Sequence, residues 1–254
     1  MNRQFFRIIA LLSGLLIACA DGRAEIEGKK KADGPAQGQD WTSPTTGMEF
    51  VWIKALNCWV GKYEVNNADY RKKERNHNSK DYEGHSLNGD RQPVVYVNYD
   101  DAQAYAKWLT EQDRAVLGGA EYRLPTKDEF TAFAQCGDGR EYPWGDNWPP
   151  RSGQAGNYSG QESAWKNKID GYRDSHPVTC DVEKSWKNPW GLFGVGGNVW
   201  ECTSKTPGGS FDAWRGAAWF CYYQGGLRCS YRFVLSASLR FGYRFGFRLL
   251  LAGP

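Results

Sequence analysis

Apolar and polar positions alternate from Met48 to Ile53, and this period of two predicts a β-strand. Cys58 to Val65 has the same character after a short gap and is its expected hairpin partner. A first helix is expected near Asn66 to Lys73, and Pro93 to Val97 reads as a short extended run. From Asn98 the period lengthens. Ala102, Tyr105, Trp108 and Leu109 share one helical face, with Asn98 as the cap and Asp101 as the acid of a capping box. Thr126 and Glu129 repeat that signature ahead of the apolar stripe Phe130, Phe133 and Ala134. After Gly137 periodicity disappears until about Pro189, in a stretch rich in Gly, Pro, Asn, Asp and Ser. An irregular run of that length inside a compact domain needs internal packing, trapped aromatics or an ion to hold it. From Trp190 to Leu251 short strands divided by glycine are expected.

The N-terminal end follows another logic. Arg3 and Arg7 precede the apolar run Ile8 to Ala18, which is too short to span a bilayer and stops at Leu16-Ile17-Ala18-Cys19. That run resembles a lipobox, in which Cys19 is lipidated and anchors the chain to a membrane surface. Residues 1–19 are therefore expected to be a lipoprotein signal peptide, 20–46 a polar flexible tether and 47–254 the folded domain. Ala20, in place of an Asp after Cys19, points to the outer membrane and a lipid-anchored position in the cell envelope.

Composition adds little beyond this. Thirty glycines and 15% aromatic residues suit a turn-rich globular domain, and a net charge of +3 identifies no partner. Six cysteines follow Cys19. Export permits disulfides, their spacing fixes no pairing, and the lack of any CxxC argues against a zinc site. His77, His85 and His176 lie in loop-like sequence without nucleophile partners, and there is no GxSxG, HExxH or P-loop motif.

Eight short motifs occur in order from Gly47 to Leu250. They are Gly61-Lys62-Tyr63-Glu64-Val65, Pro93-Val94-Val95, Asp101 to Tyr105, Tyr122 to Thr126, Tyr142-Pro143-Trp144-Gly145, Gly197-Asn198-Val199-Trp200-Glu201, Arg215-Gly216 and Gly246-Phe247-Arg248. Together they resemble the sulfatase-modifying-factor family of formylglycine-generating enzymes. The resemblance implies an α+β, C-type-lectin-like fold with little regular secondary structure. It also implies an oxidase that uses two nearby cysteines and copper, because paired soft thiolates suit Cu(I). Cys221 falls at the first catalytic position. The next cysteine, Cys229, is three residues too far along, Tyr222 replaces a His, and Ala217 and Ala218 replace the Gly and Ser of an Arg-Gly-Gly-Ser-type motif. These departures favour a non-enzymatic protein, with an oxidase acting on a cysteine of a protein substrate as the alternative. The resemblance further implies one calcium ion at Asn157, Tyr158, Asp170 and Tyr172, whose loop oxygens suit that hard cation. At a second calcium position Gly197, Val199 and Glu201 match, but Gly194 stands where an Asn is expected. No organic cofactor is implied.

The segment of about 214–248 has its own composition. From Ala213 to Pro254 there is no Asp, Glu, Asn or Lys, and Arg residues alternate with Phe and Tyr. Cys229-Ser230-x-Arg232 and Ala237-Ser238-x-Arg240 frame slots filled by Phe, Tyr, Leu, Val or Gly, and none of Trp, Met, Gln, Lys or Glu occurs after Gln224. This resembles the variable region of lipoproteins diversified by retroelements, where adenine-specific copying yields such a residue set on a lectin-type scaffold. The resemblance implies a hypervariable ligand-binding surface at Phe220, Cys221, Tyr222, Tyr223, Leu227, Tyr231, Phe233, Val234, Leu239, Phe241, Gly242, Tyr243 and Phe245. Tyr and Phe supply contact area at low entropy cost, and Arg adds forked hydrogen bonds. The expected partner is a variable protein or cell-surface ligand, met by a monomer, with membrane contact through the lipid alone and no nucleic acid.

Overall fold

The computed structural model describes residues 34–234 and 242–253. Its framework is a five-stranded antiparallel sheet in the order β1-β2-β3-β10-β6, formed by β1 (Trp41–Thr42), β2 (Glu49–Ile53), β3 (Cys58–Gly61), β6 (Glu121–Arg123) and β10 (Leu250–Ala252). The expected hairpin is present, with Phe50 opposite Gly61 and Ile53 opposite Cys58. β10 lies between β3 and β6, Leu251 facing Trp59 on one side and Tyr122 on the other. A second sheet holds β7 (Trp200–Ser204) between β8 (Phe211–Arg215), antiparallel, and β9 (Phe245–Gly246), parallel. A small hairpin joins β4 (Asp81–Tyr82) to β5 (His85–Ser86).

The helices are α1 (Asn67–Arg71), α2 (Tyr99–Leu117) and α3 (Lys127–Gln135). Both capping boxes form as expected: the Asn98 side chain accepts from Asp101 N and Asp101 accepts from Asn98 N, and Thr126 and Glu129 do the same for α3. Each satisfies two backbone donors that a helix start otherwise leaves open. Ala102, Tyr105 and Leu109 of α2 and Phe130, Phe133 and Ala134 of α3 are buried, so the period-3.6 stripes face the core. Pro93 to Val97 forms no strand. Its Val94 N–H reaches Val65 O at 2.9 Å, and Tyr96 turns through a φ of 62°.

The expected start of the domain is corrected. Trp41 is buried and donates from Nε1 to Tyr122 Oη at 2.8 Å, while Ser43 Oγ donates to Asp113 Oδ2 at 2.7 Å. Both partners lie far along the chain, so residues 41–46 belong to the fold and not to a tether. The sequence hides this because β1 has only two residues and sits in a polar context.

The stretch from Gly137 to Pro189 contains no helix or strand. Trapped aromatics hold it: Tyr142, Tyr158 and Tyr172 are fully buried, and Tyr172 Oη donates to Gly156 O. It also lies against the glycine-rich run before β7. A Cβ at Gly156 would stand 1.6 Å from Gly196 O, so only glycine permits that approach. The two sheets are joined by a buried ion pair. Arg248 donates to Glu201 Oε2 at 3.0 Å and Oε1 at 2.9 Å, and to the carbonyls of Gly61 and Phe193 at 2.8 and 2.6 Å. With both side chains fully buried, the extra carbonyl bonds offset the desolvation cost of the pair.

Candidate ligand-binding face

The C-terminal segment leaves the second sheet at Arg215 and re-enters it at Phe245. Between these points the described backbone is irregular, with 3-10 turns at Gln224–Leu227 and Gly242–Arg244 and one antiparallel bridge from Trp214 to Phe233. Because the run coils, its alternating aromatics do not divide simply into inside and outside. Tyr222, Tyr223 and Val234 are exposed by 37, 43 and 58%, and they are the exposed large hydrophobic side chains among the described residues. Phe220, Tyr231, Phe233, Gly242 and Tyr243 are half-buried. Cys221, Leu227 and Phe245 are buried, which corrects their expected place on the surface. Cys221 and Leu227 fill the main core, and the Phe245 ring lies 4.3 Å from that of Trp214. Leu239 and Phe241 lie outside the described residues, as does the lipidation position Cys19.

The accessible rings form two connected groups. In one, Tyr223 meets Tyr222 and Tyr231 edge to face at 6.1 and 5.8 Å, and Tyr231 and Phe233 lie on Trp200. In the other, Phe220 and Tyr243 meet side chains from distant parts of the chain. Tyr82 of β4 lies 4.6 Å from Tyr243 and 5.1 Å from Trp219, and Trp165 lies 5.5 Å from Phe220. Sequence reasoning missed Tyr82 and Trp165, since single aromatics in polar loops carry no pattern. Arg244 belongs to the second group, with its guanidinium 4.9 Å from the rings of Phe220 and Tyr243.

The two cysteines expected at the catalytic positions are both free and buried. Cys221 belongs to the main core, whereas Cys229 packs with Phe130, Phe133 and Ala134 of α3. Burial pushes both thiols up to about 12, so each carries its proton at neutral pH.

The four expected calcium ligands are differently placed. Asn157 is buried, and its Oδ1 has no hydrogen-bond partner. The Tyr158 and Tyr172 carbonyls accept from Gly160 N and Gln161 N at 2.8 and 2.9 Å, and Asp170 is exposed. One cation already lies in this loop: the Lys168 ammonium donates to the carbonyls of Ser163 at 2.6 Å and Gln161 at 3.0 Å. Among the described residues no three acidic, His or Cys side chains gather as a metal site. At the second position, a Cβ on Gly194 would stand 2.5 Å from Glu64 Oε2, so a buried carboxylate occupies that space. Burial and the neighbouring Glu201 raise the Glu64 carboxyl well above the usual range.

Residues 24–252 match the sequence profile of the Sulfatase-modifying factor enzyme 1-like domain. The chain belongs to this family. Its relatives there include the inactive C-alpha-formylglycine-generating enzyme 2 of Mus musculus, 32% identical over 138 residues, and the formylglycine-generating enzyme of Thermomonospora curvata, 37% identical over 111 residues. The matches cover 50 and 43% of this chain, and 37 and 32% of those relatives. The chain thus spans about a third of the curated relatives it matches. Two solved structures share the fold at a TM-score of 0.59: PvdO from Pseudomonas aeruginosa, at 17% identity over 86% of this chain and 100% of its own, and Treponema denticola variable protein 1, at 16% identity over 84 and 98%. The sulfatase-modifying-factor fold, α+β and lectin-like, is therefore that of this protein. Within it, Ala217 takes the place of the motif glycine and adopts a φ of 67°, a left-handed backbone that a Cβ disfavours.

Proposed function

We propose that this protein is a lipid-anchored binding protein of the cell envelope that uses a sulfatase-modifying-factor scaffold without oxidase chemistry, and that a retroelement diversifies its C-terminal segment. The observation that carries the reading is the exposure of Tyr222, Tyr223 and Val234, since large apolar side chains held in water mark an interaction surface. All three fall on slots whose residue set matches adenine-directed copying. Beneath them, buried Cys221, Leu227 and Phe245 anchor the segment to the core. Two further facts support a binder over an oxidase. The oxidase motif is broken at Ala217, Ala218 and Tyr222 and by the spacing of Cys229 from Cys221, and a neighbour named a variable protein shares the fold.

The test is to sequence the end of the gene in several isolates together with any nearby template repeat. Substitutions confined to the slots from Phe220 to Phe245 and matching template adenines are the expected result. An invariant segment, with conversion of a cysteine peptide to formylglycine by the copper-loaded protein, would overturn the reading in favour of the oxidase. Metabolic labelling with a fatty acid, lost in Cys19→Ser, checks the anchor.

A further inference from the structure

The charge of the C-terminal segment is of one sign. Five arginines follow Phe220, at 228, 232, 240, 244 and 248, with no acidic residue among them. Two of these charges are already matched: Arg228 pairs with Glu141 at 2.8 Å, and Arg248 is bound to Glu201 in the core. Arg244 is different. Its guanidinium is held by rings, lying 4.9 Å from Phe220, 4.9 Å from Tyr243 and 5.9 Å from Phe245. Its Nη2 makes a long bond of 3.3 Å to Tyr243 Oη, and its Nε is buried without a hydrogen-bond partner. Among the described residues no carboxylate pairs with it, although Asp81 and Glu83 lie on the hairpin beside it. A guanidinium stacked on rings is pre-ordered, loses little freedom on binding, and presents a flat fork that fits a carboxylate.

The walls around this fork come from elsewhere in the chain. Tyr82 rests on Tyr243 and Trp219, Trp165 meets Phe220, and Lys80 holds its ammonium 4.4 Å from the Tyr96 ring. Tyr96 N in turn donates to Gly242 O at 2.9 Å. Of these, Tyr82 and Lys80 belong to β4 and its flank, Tyr96 to the run ahead of α2 and Trp165 to the irregular stretch, all outside the segment read as diversified.

We infer that Arg244, walled by Tyr82 and Trp165, receives a carboxylate of an acidic protein segment, so that the face joins a framework arginine and walls from outside the segment to the aromatic slots that hold it. The inference rests on the display reading above and deepens it by naming the partner chemistry. Trp165 and Trp219 make the site self-reporting. The full chain is titrated with a Glu-Gly repeat peptide and, separately, with its Gln-Gly counterpart while tryptophan emission is followed. Saturable binding of the acidic peptide alone is expected, weakened by salt and reduced at least roughly tenfold in Arg244→Gln, the usual scale for a charge-assisted bond. Tyr82→Ala is expected to weaken it as well, and Arg114→Gln on α2 to leave it unchanged. If Arg244→Gln melts early, Arg244→Lys replaces it, keeping the charge and removing the fork; a loss of affinity is again expected. Equal binding of the two peptides, no binding of the acidic one, or full affinity in the folded Arg244 variants would overturn the assignment. An invariant gene segment would sink the display reading alone and leave this titration standing.

Discussion

Asp174 keeps its proton far above the ordinary carboxylate range, up to about 8, first because it is buried and then because it shares a hydrogen bond with Glu162. In the unfolded chain the same group loses its proton near 3.8. Its contribution to stability is therefore complete below that value and is lost as pH rises to about 8. Melting temperature is expected to fall across that window. Glu162→Gln keeps an acceptor for the Asp174 and Ser175 N–H groups and offers Asp174 a donor, so the fall should become shallower; an unchanged slope would show that burial alone sets the effect. Glu64 acts with the same sign, so the slope is reduced and not abolished. Ala217→Gly relieves the left-handed backbone and is expected to add about 0.5–1 kcal/mol in urea unfolding. Neither carboxyl was legible in the sequence, because what raises them is burial contributed by residues distant along the chain.

The helices were the most legible elements, since a cap and a stripe are local signals. Thr126→Ala removes one half of the α3 capping box and is expected to cost about 1 kcal/mol in denaturant unfolding. A loss near zero would mean that the Glu129 bond to Thr126 N carries the cap alone. The hairpin of β2 and β3 was legible from its alternation, and its strands pair as expected. The start of the domain and the face of the C-terminal segment were not. A two-residue strand such as β1 shows no period, and a coiled loop breaks the rule that neighbours point to opposite sides. Cys221, Leu227 and Phe245 therefore look like their exposed neighbours until the chain is folded. The helix signal also said nothing of Trp200, the platform under Tyr231 and Phe233, because its role comes from ring contacts across the fold.

At the scale of the whole molecule, the fold separates what can vary from what cannot. Tyr223→Ser and Val234→Ser are expected to change stability by no more than about 0.5 kcal/mol, and Phe245→Ala to cost about 3–5 kcal/mol, when the three are unfolded in parallel. Comparable losses at all three positions would mean that the segment is core throughout. The family profile and the shared fold say what the scaffold is, while the chemistry of the face rests on the side chains that line it. One feature of that scaffold also reaches into biosynthesis. β10 is read after the whole C-terminal segment, yet it is the strand between β3 and β6, one made near the start of the domain and the other before its midpoint. The main sheet therefore cannot close while the segment is still being translated. Any product with a shifted frame or an early stop in that segment lacks the closing strand, so completing the main sheet checks that the segment has been read to its end.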